Sequence, residues 1–280
     1  GDPDLPPGTV SNSWLSRYLL ESSGGATSVL RGIGTGFVLP LSLRGADKTL
    51  SVPLPESLLF PGAAGTAALR SSLLAQAYGG LPAPVGAAAL DTFASIALLS
   101  QVDFAGYTPA NGAQYPAGEF GARLRSVAAL IKADVGVEVI AIDHGGWDLH
   151  ADLGPLNGAM AGRLDELARG LNAFYLDLGA MLDRFVLVCM TEFGRRLPEN
   201  SSLGLDHGHG SAMLVLGEGI QGGQVVADWP GLAPAQLDGN ALAVTIDYRD
   251  ILGEILDQRL GADPSAIFPQ HSFTSYGITV

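Results

Sequence analysis

The sequence predicts an α/β protein whose central sheet is mostly parallel. Two segments, residues 137–142 and 185–190, have the β-branched and apolar composition of buried strands. Between them, residues 160–181 repeat apolar side chains at alternating steps of four and three, which is the spacing of one helical face. A strand, a helix and a second strand in this order predict a right-handed crossover between parallel strands. No internal repeat or low-complexity linker is recognisable, so residues 1–280 are expected to form one domain.

The composition is that of a folded, acidic chain. Hydrophobic residues make up 47% of the sequence, and charged residues make up 15%, against about 25% in an average protein. The formal net charge of −13 repels nucleic acid and anionic membranes, so neither is expected as a partner. No stretch reaches the roughly 18 apolar residues of a membrane span, and no signal peptide is recognised. The single cysteine, Cys189, leaves no intrachain disulfide or cysteine-based zinc site to expect.

The N-terminal half is predicted to contain one short strand and several helices. Residues 1–12 are rich in Pro, Gly and Asp and are expected to be mobile. Residues 28–33 read as a strand that leads into a glycine-rich turn, which lacks the spacing of a dinucleotide-binding loop. Helices are predicted from Ser13 onward and over residues 63–78, 85–102 and 117–133.

The C-terminal half is predicted to be more irregular. Residues 213–216 form a short apolar run, and residues 218–240 are a glycine-rich excursion from the core. Val244 and Ile246 predict a short edge strand before a helix over residues 247–260. His271 has no potential partner near it in sequence and is therefore expected in a surface turn.

Four of the five histidines lie in two short loops beside predicted strands, and carboxylates accompany them. Asp148 and His150 follow the strand over residues 137–142. Glu192 comes directly after the strand at 185–190, and a third group precedes the run at 213–216. Because open α/β sheets build their sites at the carboxyl ends of strands, these loops are expected to meet in one site. The third group consists of Asp206, His207 and His209.

Carboxylates and imidazoles without thiolate are the ligands of zinc, manganese, iron or, with more carboxylate, calcium. The six candidates exceed what one ion needs and would suffice for a pair of ions. The sequence leaves an alternative open. In it, Asp148 and His150 cap the following helix, and residues 206–209 hydrogen-bond their own backbone.

Two arginines follow Glu192 at positions 195 and 196. Because the chain is acidic, an anionic substrate needs a local positive centre, which a metal ion or one of these guanidinium groups supplies. Arg195 is therefore a candidate to hold an anionic ester oxygen. The alternative for either arginine is a surface charge or an ion pair with Glu199.

Six segments, in this order, resemble the DUF1501 proteins. These bacterial proteins are often exported by the twin-arginine route and are related to the alkaline phosphatase and sulfatase superfamily. Family members usually have a further segment before the equivalent of Ser13, and the superfamily places its nucleophile in that segment. No counterpart of this nucleophile is therefore expected among residues 1–280. The segments are GGWDLH (145–150), TEFGRR (191–196), LDHGHG (205–210), GEGIQGG (217–223), DWPGL (228–232) and DYRDIL (247–252).

The resemblance implies a three-layer α/β/α fold like that of alkaline phosphatase and an exported, metal-dependent hydrolase of phosphate or sulfate esters. A small anionic ester is then the expected substrate, and zinc is favoured over manganese, iron or calcium. The implied ligands are Asp148, His150, Asp206, His207 and His209, with catalytic roles for Glu192 and Arg195. A different class of function also fits the resemblance. It is a non-catalytic exported binding protein that keeps the fold with at most a structural metal.

Overall fold

The computed structural model describes residues 12–22 and 28–280. The N-terminal segment that was expected to be mobile is residues 1–12, and of these only residue 12 belongs to the described residues. The described residues up to Asp143 form one compact unit, and residues from His144 to Val280 form a second. Helices and strands occur in both units, which confirms a mixed α/β protein. In the part of the chain that is described, no helix is both long enough and apolar enough to cross a bilayer.

The first unit contains a three-stranded parallel sheet. Strand β1 (Gly32–Gly34) lies between β2 (Thr49–Ser51) and β3 (Val139–Ala141). In this register the side chain of Ile33 stands opposite Leu50 on one side and Ile140 on the other. The strands predicted near residues 28–33 and 137–142 are confirmed, and the structure pairs them in parallel.

Four helices of the first unit cover the predicted helical segments. The helices are α1 (Trp14–Glu21), α2 (Ala67–Gly79), α3 (Val85–Leu99) and α4 (Glu119–Ala133). Helix α4 ends where Asp134 adopts a left-handed backbone conformation with φ +52°. The core joins β1 and β2 to α3 and α4 through one apolar cluster of seven buried residues, namely Leu30, Ile33, Val52, Leu99, Phe104, Ala129 and Leu130.

An ion pair between the buried Arg31 and the partly exposed Glu138 joins the starts of two strands. Arg31, just before β1, donates from its guanidinium to both carboxylate oxygens of Glu138, just before β3. The same guanidinium donates to the carbonyl oxygen of Leu19 at 2.6 Å and to the hydroxyl of Ser22 at 2.8 Å. The hydrogen bond with Glu138 raises the pKa of Arg31 further above its ordinary value. The pair links β1, β3 and α1 at one point.

The second unit has helices joined by short antiparallel strand pairs. Its elements are α5 (Ala159–Asp177), β4 (Leu187–Cys189), β5 (Gly194–Arg195), β6 (His207–Gly208), β7 (Leu214–Leu216), β8 (Leu237–Asp238), β9 (Ala241–Leu242), α6 (Tyr248–Leu260) and α7 (Pro264–Ile267). The strand pairs are β4 with β7, β5 with β6 and β8 with β9.

Two predictions about strands are wrong. The strand near 185–190 does not pair in parallel with the strand near 137–142, because β4 pairs with β7 in the antiparallel sense and β3 pairs with β1. The segment between β4 and β7 reverses the chain, and this return brings β7 beside β4. Val244 and Ile246 are not in a strand, since the strand forms earlier, at β9.

Glu254 is a buried carboxylate on α6 that holds the last residues of the chain. It is 1% exposed. Its Oε2 accepts hydrogen bonds from the hydroxyl of Ser275 and from the backbone N–H groups of Tyr276 and Gly277. Its Oε1 accepts from the backbone N–H and the hydroxyl of Thr279. Burial alone would raise the pKa of Glu254, but these donors outweigh it and hold the pKa below its ordinary value.

The prediction that His271 lies in a surface turn without a partner is wrong. Its Nε2 lies 2.8 Å from Oδ1 of Asp250, and the imidazole side chain is only 13% exposed. The same carboxylate oxygen accepts a hydrogen bond from the backbone N–H of Thr274 at 3.0 Å. Asp250 therefore links the first turn of α6 to the segment that carries His271.

Candidate metal centre

Two glycine-rich segments bring the candidate site together. In the β5–β6 pair, Gly194 stands opposite Gly208 and Arg195 stands opposite His207. A Cβ atom at Gly194 would collide with the carbonyl oxygen of Gly210, and one at Gly208 would lie 2.5 Å from the carbonyl carbon of Arg195. Only glycine allows these backbones to approach so closely. The close approach sets Arg195 beside His207.

Three donor atoms converge at one point of the second unit. Oδ1 of Asp148 lies 2.8 Å from Nε2 of His207 and 3.0 Å from Nε2 of His150. The two Nε2 atoms lie 3.0 Å from each other. We call these three atoms the donor triangle. About half of each of the three side chains is exposed to solvent.

The donor triangle fits one divalent cation. An ion held by imidazole nitrogen and carboxylate oxygen lies about 2.0–2.2 Å from each donor, and a triangle of this size is within that reach at every corner. Two imidazoles and one carboxylate are ligands that suit zinc, manganese or iron. The structure thus brings Asp148, His150 and His207 together, while their role as metal ligands stays a prediction.

Arg195 braces the donor triangle from one side. Its guanidinium donates to Oδ1 of Asp148 at 2.8 Å and to the carbonyl oxygens of Trp147 and Leu205. It also lies over the ring of Phe193, which stacks on the imidazole of His207 at 3.7 Å. Hydrogen bonds from His207 and then from Arg195 lower the pKa of Asp148, so this carboxyl is ionised and available as a ligand.

Asp206 lies behind His150 and outside the donor triangle. Its Oδ1 is 3.4 Å from Nδ1 of His150, the ring nitrogen that does not face the triangle. A hydrogen bond from Asn200 and then the bond to His150 lower the pKa of Asp206. Asn200 was not predicted as a site residue from the sequence. The available signal was an asparagine beside a Ser-Ser-Leu-Gly stretch, since asparagine side chains commonly bind the backbone of tight turns.

Two other predicted site residues lie apart from the donor triangle. Nδ1 of His209 is 2.7 Å from Oδ2 of Asp238 on β8, so its imidazole has a partner elsewhere. Glu192 is exposed and is not part of the group of converging ligand atoms. The roles of both as ligand or catalyst stay predictions. The alternative that Asp148 and His150 cap the following helix is wrong, because α5 begins after Gly158 without a side-chain cap.

A separate pair anchors the segment that leads to the site. Nε2 of His144 lies 3.1 Å from Oε2 of Glu166 on α5, and Arg163 donates to the same oxygen at 2.7 Å. The hydrogen bond with His144 and then the one from Arg163 lower the pKa of Glu166 despite its partial burial. His144 is thus bound to α5. It fixes the segment just before Asp148.

The fold and the site define a mixed α/β protein with a surface centre of two imidazoles and one carboxylate. The chain belongs to the DUF1501 family, described as a protein of unknown function, whose family model matches residues 100–279. The resemblance noted in the sequence is thereby confirmed at the level of the family. The matched range contains the whole donor triangle together with Arg195 and Asn200. No curated protein and no solved structure matches the chain.

Proposed function

We propose that this chain is a metal-dependent hydrolase of phosphate or sulfate esters. The observation that supports it most is the convergence of Asp148 Oδ1, His150 Nε2 and His207 Nε2 within 3.0 Å of one another. We further propose that the mixed α/β chain is a version of the three-layer alkaline-phosphatase-like fold and that the protein is exported from a bacterial cell. Both of these follow from the superfamily relation of the family.

In this proposal the three side chains of the donor triangle hold one divalent ion, with zinc favoured over manganese, iron and calcium. When bound, such an ion would supply Lewis-acid chemistry, which would polarise an ester oxygen and make a water molecule a stronger nucleophile at neutral pH. Arg195 stabilises the negative charge that the ester oxygens carry, because its guanidinium lies directly beside Asp148. Phe193 contacts both the imidazole of His207 and the guanidinium of Arg195, and these contacts help to hold the two side chains in place.

A small anionic ester is the proposed substrate. The chain has a net charge of −13, so an anion is repelled everywhere except near a local positive centre. Arg195 and a bound divalent ion together would form that centre. Because the donor side chains are open to solvent, a substrate reaches them without any movement of the chain.

The same openness favours the second candidate, a non-catalytic exported binding protein with at most a structural metal. Asp148 is 59% exposed, and His150 and His207 are 46% and 47% exposed. Catalytic metal centres commonly lie in water-excluding clefts, where electrostatic stabilisation is strongest. Turnover therefore has to be measured separately from metal binding.

The first test is elemental analysis of the purified protein by mass spectrometry, before and after incubation with zinc or manganese. The wild type is expected to contain about one equivalent of metal per chain, and an Asp148→Ala/His207→Ala variant is expected to contain none. His209→Ala is the matched control, because it removes an exposed imidazole outside the donor triangle. Wild-type protein that takes up no metal under any of these conditions would refute the proposal.

The second test is turnover of p-nitrophenyl phosphate and p-nitrophenyl sulfate by the metal-loaded protein. Hydrolysis of either ester that His207→Ala abolishes and His209→Ala retains supports the hydrolase. Loss of metal and of thermal stability in His207→Ala, without turnover by the wild type, supports the structural-metal alternative.

A further inference from the structure

Helices α2 and α3 form a hairpin that is largely exposed to solvent. None of the 13 residues of α2 is buried, and three of the four buried residues of α3 lie among its last five. The ring of Phe93 on α3 contacts the rings of Phe60 and Tyr78, with centroids 5.7 and 6.0 Å apart. The two helices therefore pack against each other, and the core of the first unit reaches only the end of α3.

The exposed surface of this hairpin is apolar. Only three of the 15 residues of α3 are polar, although a helix that is apolar on all sides is normally buried. On α2, Leu69, Leu73 and Ala77 repeat at steps of four and are all exposed, and we call these three residues the outer stripe. Leu69 is 62% exposed and Leu73 is 55% exposed. A helix of 13 residues is marginally stable by itself in water, so a further partner is expected to cover α2.

The hairpin is almost free of charge, which indicates the kind of partner. Residues 67–99 carry one cation, Arg70, and one anion, Asp91, in a chain whose net charge is −13. A charged partner finds no complementary charge on this surface. Helices that lie on membranes have a face rich in Lys and Arg, which this hairpin lacks. Two copies of so acidic a chain repel each other, and an uncharged surface lets them meet with the least repulsion.

We propose that the hairpin is the interface of a homodimer, in which the outer stripes of two copies pack together around a two-fold axis. A two-fold contact uses the same patch on both copies, so the patch has to be complementary to itself, as an apolar and uncharged stripe is. Two hairpins stacked in this way give four packed helices, an arrangement that buries apolar helix faces. This inference goes beyond the proposed hydrolase and does not depend on a bound metal.

The dimensions of the hairpin set the expected strength of the dimer. Helices of 13 and 15 residues are about 20 and 22 Å long, and each is about 10 Å wide. Side by side they give a flat footprint of about 400 Å², and the accessible area of a ridged helix surface is larger than its footprint. A standard interface buries about 800 Å² on each partner, so this one is at the small end. The expected Kd is on the order of 10 μM.

The test is sedimentation velocity of the full chain from about 1 to 200 μM, with a chelator present so that metal ions cannot bridge two copies. The wild type is expected to shift from monomer to dimer over this range. Leu69→Glu/Leu73→Glu places four carboxylates near the proposed axis and is expected to raise the Kd at least ~10-fold. Leu156→Glu/Val225→Glu is the matched control. It adds the same charge at two positions outside the hairpin that are both 92% exposed, and it is expected to leave the Kd unchanged.

Thermal melting separates a dimer contact from a change in the fold of the hairpin. The midpoint of the wild type is expected to rise between about 1 and 100 μM, whereas that of Leu69→Glu/Leu73→Glu should stay constant. If the glutamates lower the midpoint at every concentration, Leu69→Ala/Leu73→Ala replaces them, because alanine favours helix and adds no charge. Its Kd is also expected to rise, since the apolar contact is lost.

A wild type that stays monomeric at about 200 μM would overturn the proposal. Cosedimentation of that monomer with phosphatidylcholine vesicles would then identify a lipid surface as the occupant. A folded variant of the outer stripe that dimerises as tightly as the wild type would also overturn the proposal, because the copies would then meet elsewhere.

Discussion

Replacing Glu254 by glutamine is expected to destabilise the second unit by about 3–5 kcal/mol. The glutamine oxygen will face the three donors that now bind Oε2, and its NH2 group will face Thr279. The Thr279 hydroxyl can rotate and accept a hydrogen bond, but its backbone N–H is left without an acceptor, which costs about 1–3 kcal/mol. The three remaining bonds lose a charged acceptor at about 0.5–1 kcal/mol each.

The measurement is urea unfolding at pH 7, with the slope on denaturant compared between variants to exclude a change in the unfolded state. Asp257→Asn is the matched control, because it removes the same charge from an exposed position on the same helix. Its effect is expected to stay within about 0.5 kcal/mol. A loss below about 1 kcal/mol in Glu254→Gln would refute the reasoning, since the buried donors would then have found other partners.

The effect of Glu254→Gln also has a defined dependence on pH. The pKa of Glu254 is lower in the folded protein than its ordinary value. A carboxyl of this kind contributes stability that is fully present above its unfolded pKa, about 4.3, and is lost as the pH falls through the folded pKa. The difference in unfolding free energy between wild type and Glu254→Gln is therefore expected to be constant from pH 6 to 8. It should shrink below about pH 4.

Three further changes test other parts of the structure. Glu138→Ala leaves the buried guanidinium of Arg31 without its carboxylate, while the bonds to Leu19 and Ser22 remain, and is expected to lower the free energy of urea unfolding by about 1–3 kcal/mol. A loss below about 0.5 kcal/mol would contradict this account of the pair. Gly194→Ala places a methyl group against the carbonyl oxygen of Gly210. This variant is expected to lower the free energy of unfolding by about 1–3 kcal/mol and to contain less metal than the wild type. Full metal content would show that the strand pair adapts. Burial raises the pKa of the Cys189 thiol. Alkylation of this thiol by iodoacetamide at pH 8 is therefore expected to be at least ~10-fold slower than alkylation of glutathione. Equal rates would show that the Cys189 thiol is open to solvent.

Helices could be predicted from the sequence because their signals are local. The apolar positions of α5 repeat within one segment, and Gly261, in a left-handed conformation with φ +62°, marks the end of α6. Strand partners could not be predicted, because three apolar residues such as those of β4 suit parallel and antiparallel neighbours equally. The choice depends on where the chain returns after β5 and β6, and this is a tertiary property.

The site shows the same division between local and distant signals. Asp148, His150 and His207 could be selected from residue type and position, since two of them share one short loop and the third lies in a histidine-rich one. The partner of His209 could not be selected, because Asp238 lies 29 residues further on in a glycine-rich segment without periodicity. Asn200 was missed for a related reason. Its importance comes from joining two loops in space, which no spacing within one loop reveals.

The position of β1 has a consequence for how the protein is made. β1 is the middle strand of its sheet, but Gly32 pairs with Val139, so one whole row of its hydrogen bonds waits for residues that are synthesised 107 positions later. At about 5–20 residues per second, a ribosome needs roughly 5–20 seconds to deliver that partner. During this interval the nascent chain presents a half-paired apolar strand with an open edge, which is the kind of surface that chaperones shield from aggregation.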